Sequence, residues 1–246
     1  MKALLMAAGV GTRISRHLHG QPKCCVEVGG RPLIRHTCEL LQRNGIRDIA
    51  LVTGYQEQHI LQALEGIAFR RFFNPFFRVT NSVASAWMAR EFLTADDDII
   101  IMNGDVFIED GALEAVIREQ RSPVMIADST RIQDADYRFK WSGDLLQCFG
   151  KDLSDSDTTG EYVGICRLRA DYIPFFKQKI VEAINEEDYG CWWEDVIYRT
   201  VAVGSGVYIK DIAGKFWAEV DYIEDYQRIV SFVENDHRGQ VSLNGT

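Results

Sequence analysis

The feature that most limits how this chain can fold is the alternation of short apolar runs with amphipathic stretches through its first half. Apolar runs that predict β-strands lie at residues 2–8, 48–53, 69–73, 98–102 and 124–127. Stretches with helical periodicity lie between them, at residues 32–44, 56–65, 82–92 and 110–120. This order is typical of βαβ units and of a mainly parallel sheet. We therefore predict an α/β fold with a doubly wound, Rossmann-like sheet.

The second half of the chain has a different pattern, in which short strands and turns surround further helices. Strands are predicted at residues 138–141, 145–149, 162–168, 206–211 and 216–220, and helices at residues 171–185, 192–202 and 222–234. The polar segment 151–160, rich in Asp, Ser and Thr, predicts a loop. We expect one domain over residues 1–246, with a first half (1–128), a second half (129–234) that includes a small β-rich insertion, and a polar tail (235–246).

The composition of the chain disfavours several classes of protein. Its hydrophobic share of 46% and charged share of 26% are those of a globular protein, and no apolar run approaches the roughly 20 residues of a membrane helix. A net charge of −9 without a compensating basic cluster disfavours nucleic acid as a partner. The six cysteines contain no C-x-x-C pair, which fits neither a disulfide framework nor a structural zinc site. We expect a cytoplasmic protein without membrane insertion. The sequence is also compatible with a homodimer.

The segment that follows the first predicted strand is rich in small residues and reads Ala7-Ala8-Gly9-Val10-Gly11-Thr12-Arg13. Small residues at the end of a buried strand let backbone N–H groups approach phosphate oxygens. The dinucleotide fingerprint would need Gly or Ala at Ile14, and a P-loop would need Gly-Lys-Ser/Thr, so both of these classes are disfavoured. For the two glycines taken alone, a plain turn is an equally good interpretation.

Two later segments make this pattern specific, namely Gln21-Pro22-Lys23 and Gly30-Arg31-Pro32-Leu33-Ile34. The series A-A-G-x-G-T-R, P-K and G-x-P-L-I resembles the signature of the nucleotidyltransferase superfamily. That superfamily includes sugar-1-phosphate nucleotidyltransferases and bacterial phosphocholine and aminoalkylphosphonate cytidylyltransferases. The resemblance implies a nucleotide-binding first half, an acceptor-binding second half that includes the β-rich insertion, and a nucleotide lined by Ala7, Ala8, Gly9, Gly11, Thr12 and Arg13.

The same resemblance implies that Arg13 and Lys23 hold the phosphates of the nucleotide and of the acceptor. This role is chemically reasonable, because fixed cations stabilise the negative charge that develops on oxygen during phosphoryl-type transfer. A solvated surface charge is the plain alternative for Lys23.

Two carboxylates follow predicted strands that are far apart in the chain, in Asn103-Gly104-Asp105 and in Glu219-Val220-Asp221. Ligands of open α/β sheets bind at the carboxyl ends of the strands. In the superfamily a G-D motif and a late E-x-D motif supply the metal ligands, so the resemblance implies that Asp105 and Asp221 bind Mg²⁺ as the cofactor. Two carboxylates suffice, because Mg²⁺ keeps several waters and phosphate oxygens. A turn or cap is the structural alternative for Asp105.

The segment from Asn74-Pro75 to Thr80-Asn81-Ser82-Val83-Ala84-Ser85 resembles the N-P-x-x-x-x-T-N-x-x-x-S pattern of the cytidylyltransferase branch. This resemblance implies CTP as the nucleotide, with Gly54, Asn81, Ser82 and Ser85 close to its base. A helix N-cap formed by the Asn-Ser pair is an equally physical reason for these residues.

The region where this family builds its acceptor pocket is rich in aromatic and acidic residues, among them Tyr137, Tyr162, Trp192, Trp193 and Glu194. Aromatic faces beside a carboxylate suit an ammonium group, although core packing is the alternative for each ring. The resemblance implies transfer of CMP from CTP to phosphocholine or 2-aminoethylphosphonate. The alternatives are a sugar-1-phosphate nucleotidyltransferase and a catalytically silent binding or regulatory protein on the same fold.

Overall fold

The computed structural model describes residues 1–11, 20–201, 204 and 206–243, with side chains described as far as residue 235. The strands in this part of the chain are β1 (Lys2–Ala7), β2 (Glu27–Val28), β3 (Arg31–Pro32), β4 (Asp48–Thr53), β5 (Arg70–Phe73), β6 (Ile99–Asn103), β7 (Val106–Ile108), β8 (Val124–Asp128), β9 (Arg138–Ser142), β10 (Leu145–Gly150), β11 (Gly160–Leu168), β12 (Tyr208–Asp211) and β13 (Trp217–Glu219). The α-helices are α1 (Leu33–Arg43), α2 (Glu57–Ala63), α3 (Ser82–Met88), α4 (Asp110–Arg118), α5 (Ile173–Asn185), α6 (Asp195–Val201) and α7 (Ile223–Leu243).

The main sheet has the strand order β5-β4-β1-β6-β11-β8-β12-β10-β9. Strands β5, β4, β1 and β6 are parallel neighbours, and β12 is parallel to β8. Strand β11 runs antiparallel to both β6 and β8, and β10 runs antiparallel to β12 and β9. The predicted α/β fold with a mainly parallel sheet is confirmed. Among the nine described strands of the main sheet, β10 and β11 run opposite to the other seven.

Helices cover both faces of this sheet. On one face α1, α2 and α4 pack through buried residues such as Cys38, Ile60 and Leu113. On the other face α3, α5 and α6 pack around buried residues that include Val83 and Phe176. Because strands between two helical layers are buried on both sides, the central strands are apolar at nearly every position rather than at every second one.

The structure differs from the sequence prediction at short elements and at element ends. The hairpin of β2 with β3 and strand β7 were not predicted, because two- and three-residue strands show no periodicity. The strand predicted at residues 216–220 is β13, and its pairing with β7 depends on long-range contacts. Helix α6 begins at Asp195 rather than Trp192, since the Asp195 carboxylate accepts a hydrogen bond from the backbone N–H of Trp192 at 2.7 Å.

The predicted polar tail at residues 235–246 is helical as far as Leu243, because α7 continues through Glu234 without a break. The last three residues and Ala202 lie outside the described residues. The predicted loop 151–160 contains a short 3-10 helix at Asp155–Asp157. Among the described residues, no helix is both long and apolar enough to cross a membrane. All six cysteines are free thiols.

Candidate active site

A cavity of about 670 Å³ lies at the carboxyl ends of β1 and β6 and receives residues from both halves of the chain. From the first half it is lined by Ala7, Ala8, Gly9, Gly11, Lys23, Arg78, Asn81, Ser82, Ser85, Asn103 and Asp105, among others. From the second half it is lined by Asp136, Tyr137, Lys151, Tyr162, Trp192, Glu194, Tyr198, Glu219 and Asp221. The structure therefore brings most of the predicted site residues to one place.

The glycine loop supports the side chain of Lys23 directly. Gly11 has φ +65°, a left-handed conformation that favours glycine. A Cβ atom at Gly11 would lie 2.5 Å from Cγ of Lys23, because the lysine stem crosses over the loop backbone. Glycine is thus favoured here by its backbone conformation, and a side chain at this position would displace the lysine stem.

Lys23 brings the two predicted metal carboxylates together. Its Nζ contacts Oδ1 of Asp221 and lies 3.4 Å from Oδ2 of Asp105. Burial of the ammonium lowers its pKa, but the charges of Asp105 and then Asp221 raise it more, so the net pKa lies above the ordinary lysine value. Lys23 is therefore a fixed cation at any physiological pH.

Backbone pairing places the two carboxylates next to each other although they are distant in the sequence. Val220 N–H donates to the carbonyl of Asp105 at 3.0 Å, and Val106 pairs with Glu219 between β7 and β13. Burial raises the pKa of Asp105, an effect that Lys23 opposes and Asp221 reinforces. Burial and then the charges of Asp105 and Asp221 also hold the pKa of Glu219 well above its usual range. In this corner of the cavity the carboxyl groups of Asp105, Glu219 and Asp221 therefore outnumber the ammonium group of Lys23.

The donor set of this corner fits a hard divalent cation. Asp105 and Asp221 already face one common cation, the ammonium of Lys23, and carboxylate oxygens are ligands that Mg²⁺ accepts. The described residues contain no group of three or more His, Cys, Asp or Glu side chains arranged around a metal position. A site with two protein carboxylates suits an ion whose remaining ligands are phosphate oxygens and water.

The N-terminus of α3 forms another part of the cavity wall. The side chain of Asn81 accepts from Ser82 N–H at 2.8 Å, which is the N-cap that the sequence offered as the structural interpretation. Asn81 also donates to the carbonyl of Gly190 at 3.1 Å, and Ser85 Oγ accepts from the buried Asn74 amide at 3.0 Å. These side chains line the cavity and also hold the loop before α3 in place.

Of the predicted nucleotide-binding residues that the structure describes, one, Gly54, does not line the cavity. Gly54 packs behind the glycine loop, where an added Cβ would lie 2.7 Å from the carbonyl oxygen of Ala8. It supports the loop from behind instead of lining the cavity. Thr12 and Arg13 lie outside the described residues.

Aromatic rings and a buried carboxylate form the other end of the cavity. The ring of Tyr137 lies 6.2 Å from that of Tyr162 and 5.8 Å from that of Trp192, in edge-to-face contacts. Glu194 is 6% exposed and accepts from the hydroxyl of Tyr162 at 3.4 Å. Burial raises the pKa of Glu194 to about 8. This end of the cavity therefore combines aromatic rings with the carboxylate of Glu194. Among the contacts described for it, this carboxylate has no cationic partner.

Trp193 was predicted to contact the acceptor, but the structure does not place it on the cavity wall. Its side chain is fully buried, with 0% exposure. Its indole N–H donates to Oδ1 of Asn103 at 3.1 Å, and its backbone N–H donates to Oγ of Ser82 at 2.9 Å. Trp193 therefore packs beneath the site and joins its two ends.

The structure also reveals cavity residues that were not predicted: Arg78, Asn103, Asp136, Lys151, Tyr198 and Glu219. Glu219 belongs to the E-x-D segment and Asn103 to the N-G-D segment. Their closeness in sequence to the predicted aspartates could therefore have indicated that they line the same site. Arg78 is positioned by the rings of Tyr55 and Phe77, whose centroids lie 5.7 and 5.4 Å from its guanidinium carbon. No local pattern marks such a contact in advance.

Comparison with known proteins places this site in a family. Residues 3–157 match the MobA-like NTP transferase domain. A choline-phosphate cytidylyltransferase from Streptococcus pneumoniae is 24% identical over 252 residues, covering 96% of this chain and 100% of that protein. A CMP-5'-(3-aminopropyl)phosphonate synthase from Streptomyces rubellomurinus is 32% identical over 233 residues, covering 90% of this chain and 37% of that protein.

The solved structure of the CTP:phosphocholine cytidylyltransferase from Streptococcus pneumoniae has the same fold. It superposes with a TM-score of 0.75 and 19% identity, covering 94% of this chain and 98% of that one. The family match itself spans more than half of the chain and includes the glycine loop, Lys23 and Asp105. The chain therefore belongs to the MobA-like NTP transferase family, a family of nucleotidyltransferases.

Proposed function

We propose that the protein transfers CMP from CTP to a small phosphate or phosphonate that carries an ammonium group, and that it releases pyrophosphate. One observation carries this proposal: a single cavity joins the cluster of Lys23, Asp105 and Asp221 to an aromatic wall that contains the buried Glu194. The cytidylyltransferases among the relatives support the choice of CTP and of the acceptor class.

The triphosphate is proposed to lie over Gly9 and Gly11, with Lys23 beside it and Arg13 contributing a second cation. Lys23 is suited to this role because its ammonium is fixed by the loop below it and stays charged. Asp105 and Asp221 would hold Mg²⁺, which supplies positive charge to the phosphate oxygens when it is bound. The base is proposed to lie against Ala7, Ala8 and the start of α3.

The chemical step requires no basic side chain. An acceptor phosphate has a second pKa of about 6 and is mostly dianionic at neutral pH. One of its oxygens attacks the α-phosphorus of CTP, the new P–O bond forms, and the bond to the β-phosphate oxygen breaks. Pyrophosphate leaves with the bonding electrons. The contribution of the protein is to align the two phosphates and to offset their charge.

The acceptor is proposed to place its ammonium group at the aromatic end of the cavity. Each contact of a cation with a ring face contributes about 0.5 to 2 kcal/mol. Glu194 adds a buried carboxylate, and a cation beside it would favour the ionised form that burial now disfavours. A sugar hydroxyl group offers neither kind of stabilisation.

A pyrophosphate-release assay tests the proposal by combining each of CTP, UTP, ATP and GTP with phosphocholine, 2-aminoethylphosphonate and glucose-1-phosphate. We expect release with CTP and the amino acceptors, and its loss in Asp105→Asn. Equal or better use of glucose-1-phosphate would replace the proposal with a sugar-1-phosphate nucleotidyltransferase. Absence of release from every pair would favour the silent binding protein.

A further inference from the structure

The hydroxyl group of Tyr198 is buried and has no hydrogen-bond partner among the residues that the structure describes. Tyr198 lines the acceptor end of the cavity and is 1% exposed. A buried hydroxyl without a partner is unfavourable, because it has lost its hydrogen bonds to water and gained none. The contacts described for this side chain are mainly with other rings, so a molecule bound in the cavity is the candidate for the missing partner.

A second group with unused hydrogen-bonding capacity lies beside Tyr198. The bond from the Tyr162 hydroxyl to Glu194 is 3.4 Å long, well beyond the usual 2.7 to 2.8 Å of an O–H···O bond. The rings of Tyr162 and Tyr198 lie 6.4 Å apart, and burial and then the charge of Glu194 raise the pKa of both hydroxyl groups. The cavity wall thus presents a carboxylate and two hydroxyl oxygens together.

The faces of the aromatic rings, by contrast, are partly occupied by the protein. The ring of Tyr198 is stacked on Phe149 at 4.6 Å and on Tyr137 at 5.8 Å, and it makes edge-to-face contacts with Phe139 and Tyr162, so its ring surface is largely used by the protein. Lys151 Nζ lies 5.9 Å from the ring centroid of Trp192 and is held by Asp136 at 2.7 Å. A quaternary ammonium depends on open ring faces, whereas a primary ammonium has three N–H donors.

We propose that the acceptor carries a primary ammonium group, whose N–H donors bond to the Tyr198 hydroxyl and to Glu194. Aminoalkyl phosphates and phosphonates are then preferred to choline compounds. A trimethylammonium group fills similar space but has no donor, so it would leave the Tyr198 hydroxyl unsatisfied. Sites built to hydrogen-bond a substrate discriminate strongly against analogues that lack the bonding group. This inference rests on the proposed function and names its acceptor class.

A methylation series of acceptors tests the inference, because phosphoethanolamine, its N-methyl and N,N-dimethyl derivatives and phosphocholine have three, two, one and no N–H donors on the same chain. With CTP and the wild-type protein, we expect kcat/KM for pyrophosphate release to fall along the series. The overall decrease should be at least about tenfold, which corresponds to one hydrogen bond of about 1.4 kcal/mol. Equal or better use of phosphocholine would overturn the inference and leave the proposed function intact. If neither these four acceptors nor 2-aminoethylphosphonate reacts with CTP, the proposed function itself fails.

Tyr198→Phe removes the hydroxyl and keeps the ring. We expect the ratio of kcat/KM for phosphoethanolamine to that for phosphocholine to fall at least about fivefold, because the preferred acceptor loses a partner. Tyr208→Phe is the matched control: it removes a hydroxyl from β12, outside the cavity, and should keep the wild-type ratio. An unchanged ratio in a folded Tyr198→Phe protein contradicts the assignment. If this variant does not fold, the wild-type series still decides.

Discussion

Replacing Gly11 with alanine tests whether the glycine loop sets the position of Lys23. The new Cβ would lie 2.5 Å from Cγ of Lys23 and 2.8 Å from its Cδ and Cε. These distances are far shorter than a van der Waals contact, and the flexible lysine stem is the part that can give way. We therefore expect the ammonium to move away from Asp221 and Asp105.

Two separate effects follow from this substitution. A left-handed backbone destabilises an alanine by about 1 to 2 kcal/mol, which lowers the melting temperature of a chain of this size by roughly 2 to 8 °C. Displacement of Lys23 takes a fixed cation from the reacting phosphates. Removal of one preorganised charge-stabilising group typically lowers kcat by about 10² to 10³-fold. The effect on turnover should therefore be much larger than the effect on folding.

Gly143→Ala is the matched control for backbone strain. Gly143 has φ +57°, and an added Cβ would meet nothing within 4 Å. Thermal melting should show similar losses in the two variants, while pyrophosphate release with CTP should decrease in Gly11→Ala alone. A Gly11→Ala protein with wild-type turnover would refute the link between the loop and Lys23. Equal losses of turnover in both variants would attribute the effect to strain.

Three further predictions concern the carboxylates and the buried tryptophan. Asn in place of Asp105 or Asp221 should reduce pyrophosphate release to background while the melting temperature changes little, and substantial turnover would contradict their assignment as metal ligands. Because burial raises the pKa of Glu194 from 4.5 to about 8, the folded protein keeps a proton that the unfolded chain loses, so stability falls as pH rises through this interval. In urea unfolding, Glu194→Gln should therefore gain stability relative to the wild type between about pH 5 and pH 8, whereas a pH-independent difference would be evidence against the raised pKa. Trp193→Phe loses the donor to Asn103 and leaves a cavity under the site, so it should lower stability by at least about 2 kcal/mol and should lower kcat. A rise in acceptor KM alone would instead place this ring in the acceptor site.

Most of the fold of the first half could be predicted because local patterns determine it. Strands buried on both faces are continuously apolar, and helices with one buried face show a period near 3.6. The direction of β11 could not be predicted in this way. All nine of its residues are buried, a pattern shared by parallel and antiparallel strands, and its place between β6 and β8 depends on long-range pairing.

The candidate site divides in the same way between local and long-range information. Lys23 and Asp105 lie in short motifs that resemble those of the superfamily, so both were predicted as site residues, and both line the cavity. The turn Trp192-Trp193-Glu194 shows the limit, since its first and third residues line the cavity and its second is buried beneath it. Which ring of such a pair is buried depends on the helix and strand that pack against the turn, and composition carries no information about that choice. Tyr198 is a similar case, because nothing local distinguishes its hydroxyl from that of a core tyrosine.

Asn103 explains how the two ends of the cavity act as one site. Its amide donates to Oε1 of Glu219 at 3.3 Å, beside the proposed metal ligands, and its carbonyl oxygen accepts from the indole of Trp193 at 3.1 Å. The residue after that tryptophan is Glu194, at the acceptor end, and a further side-chain hydrogen bond from Asn103 favours its ionised form. One side chain at the end of β6 therefore supports both the carboxylate corner and the acceptor wall. Because Asn103 bonds to both Glu219 and Trp193, we expect a displaced Trp192–Glu194 turn to shift Glu219 and the carboxylates beside it as well.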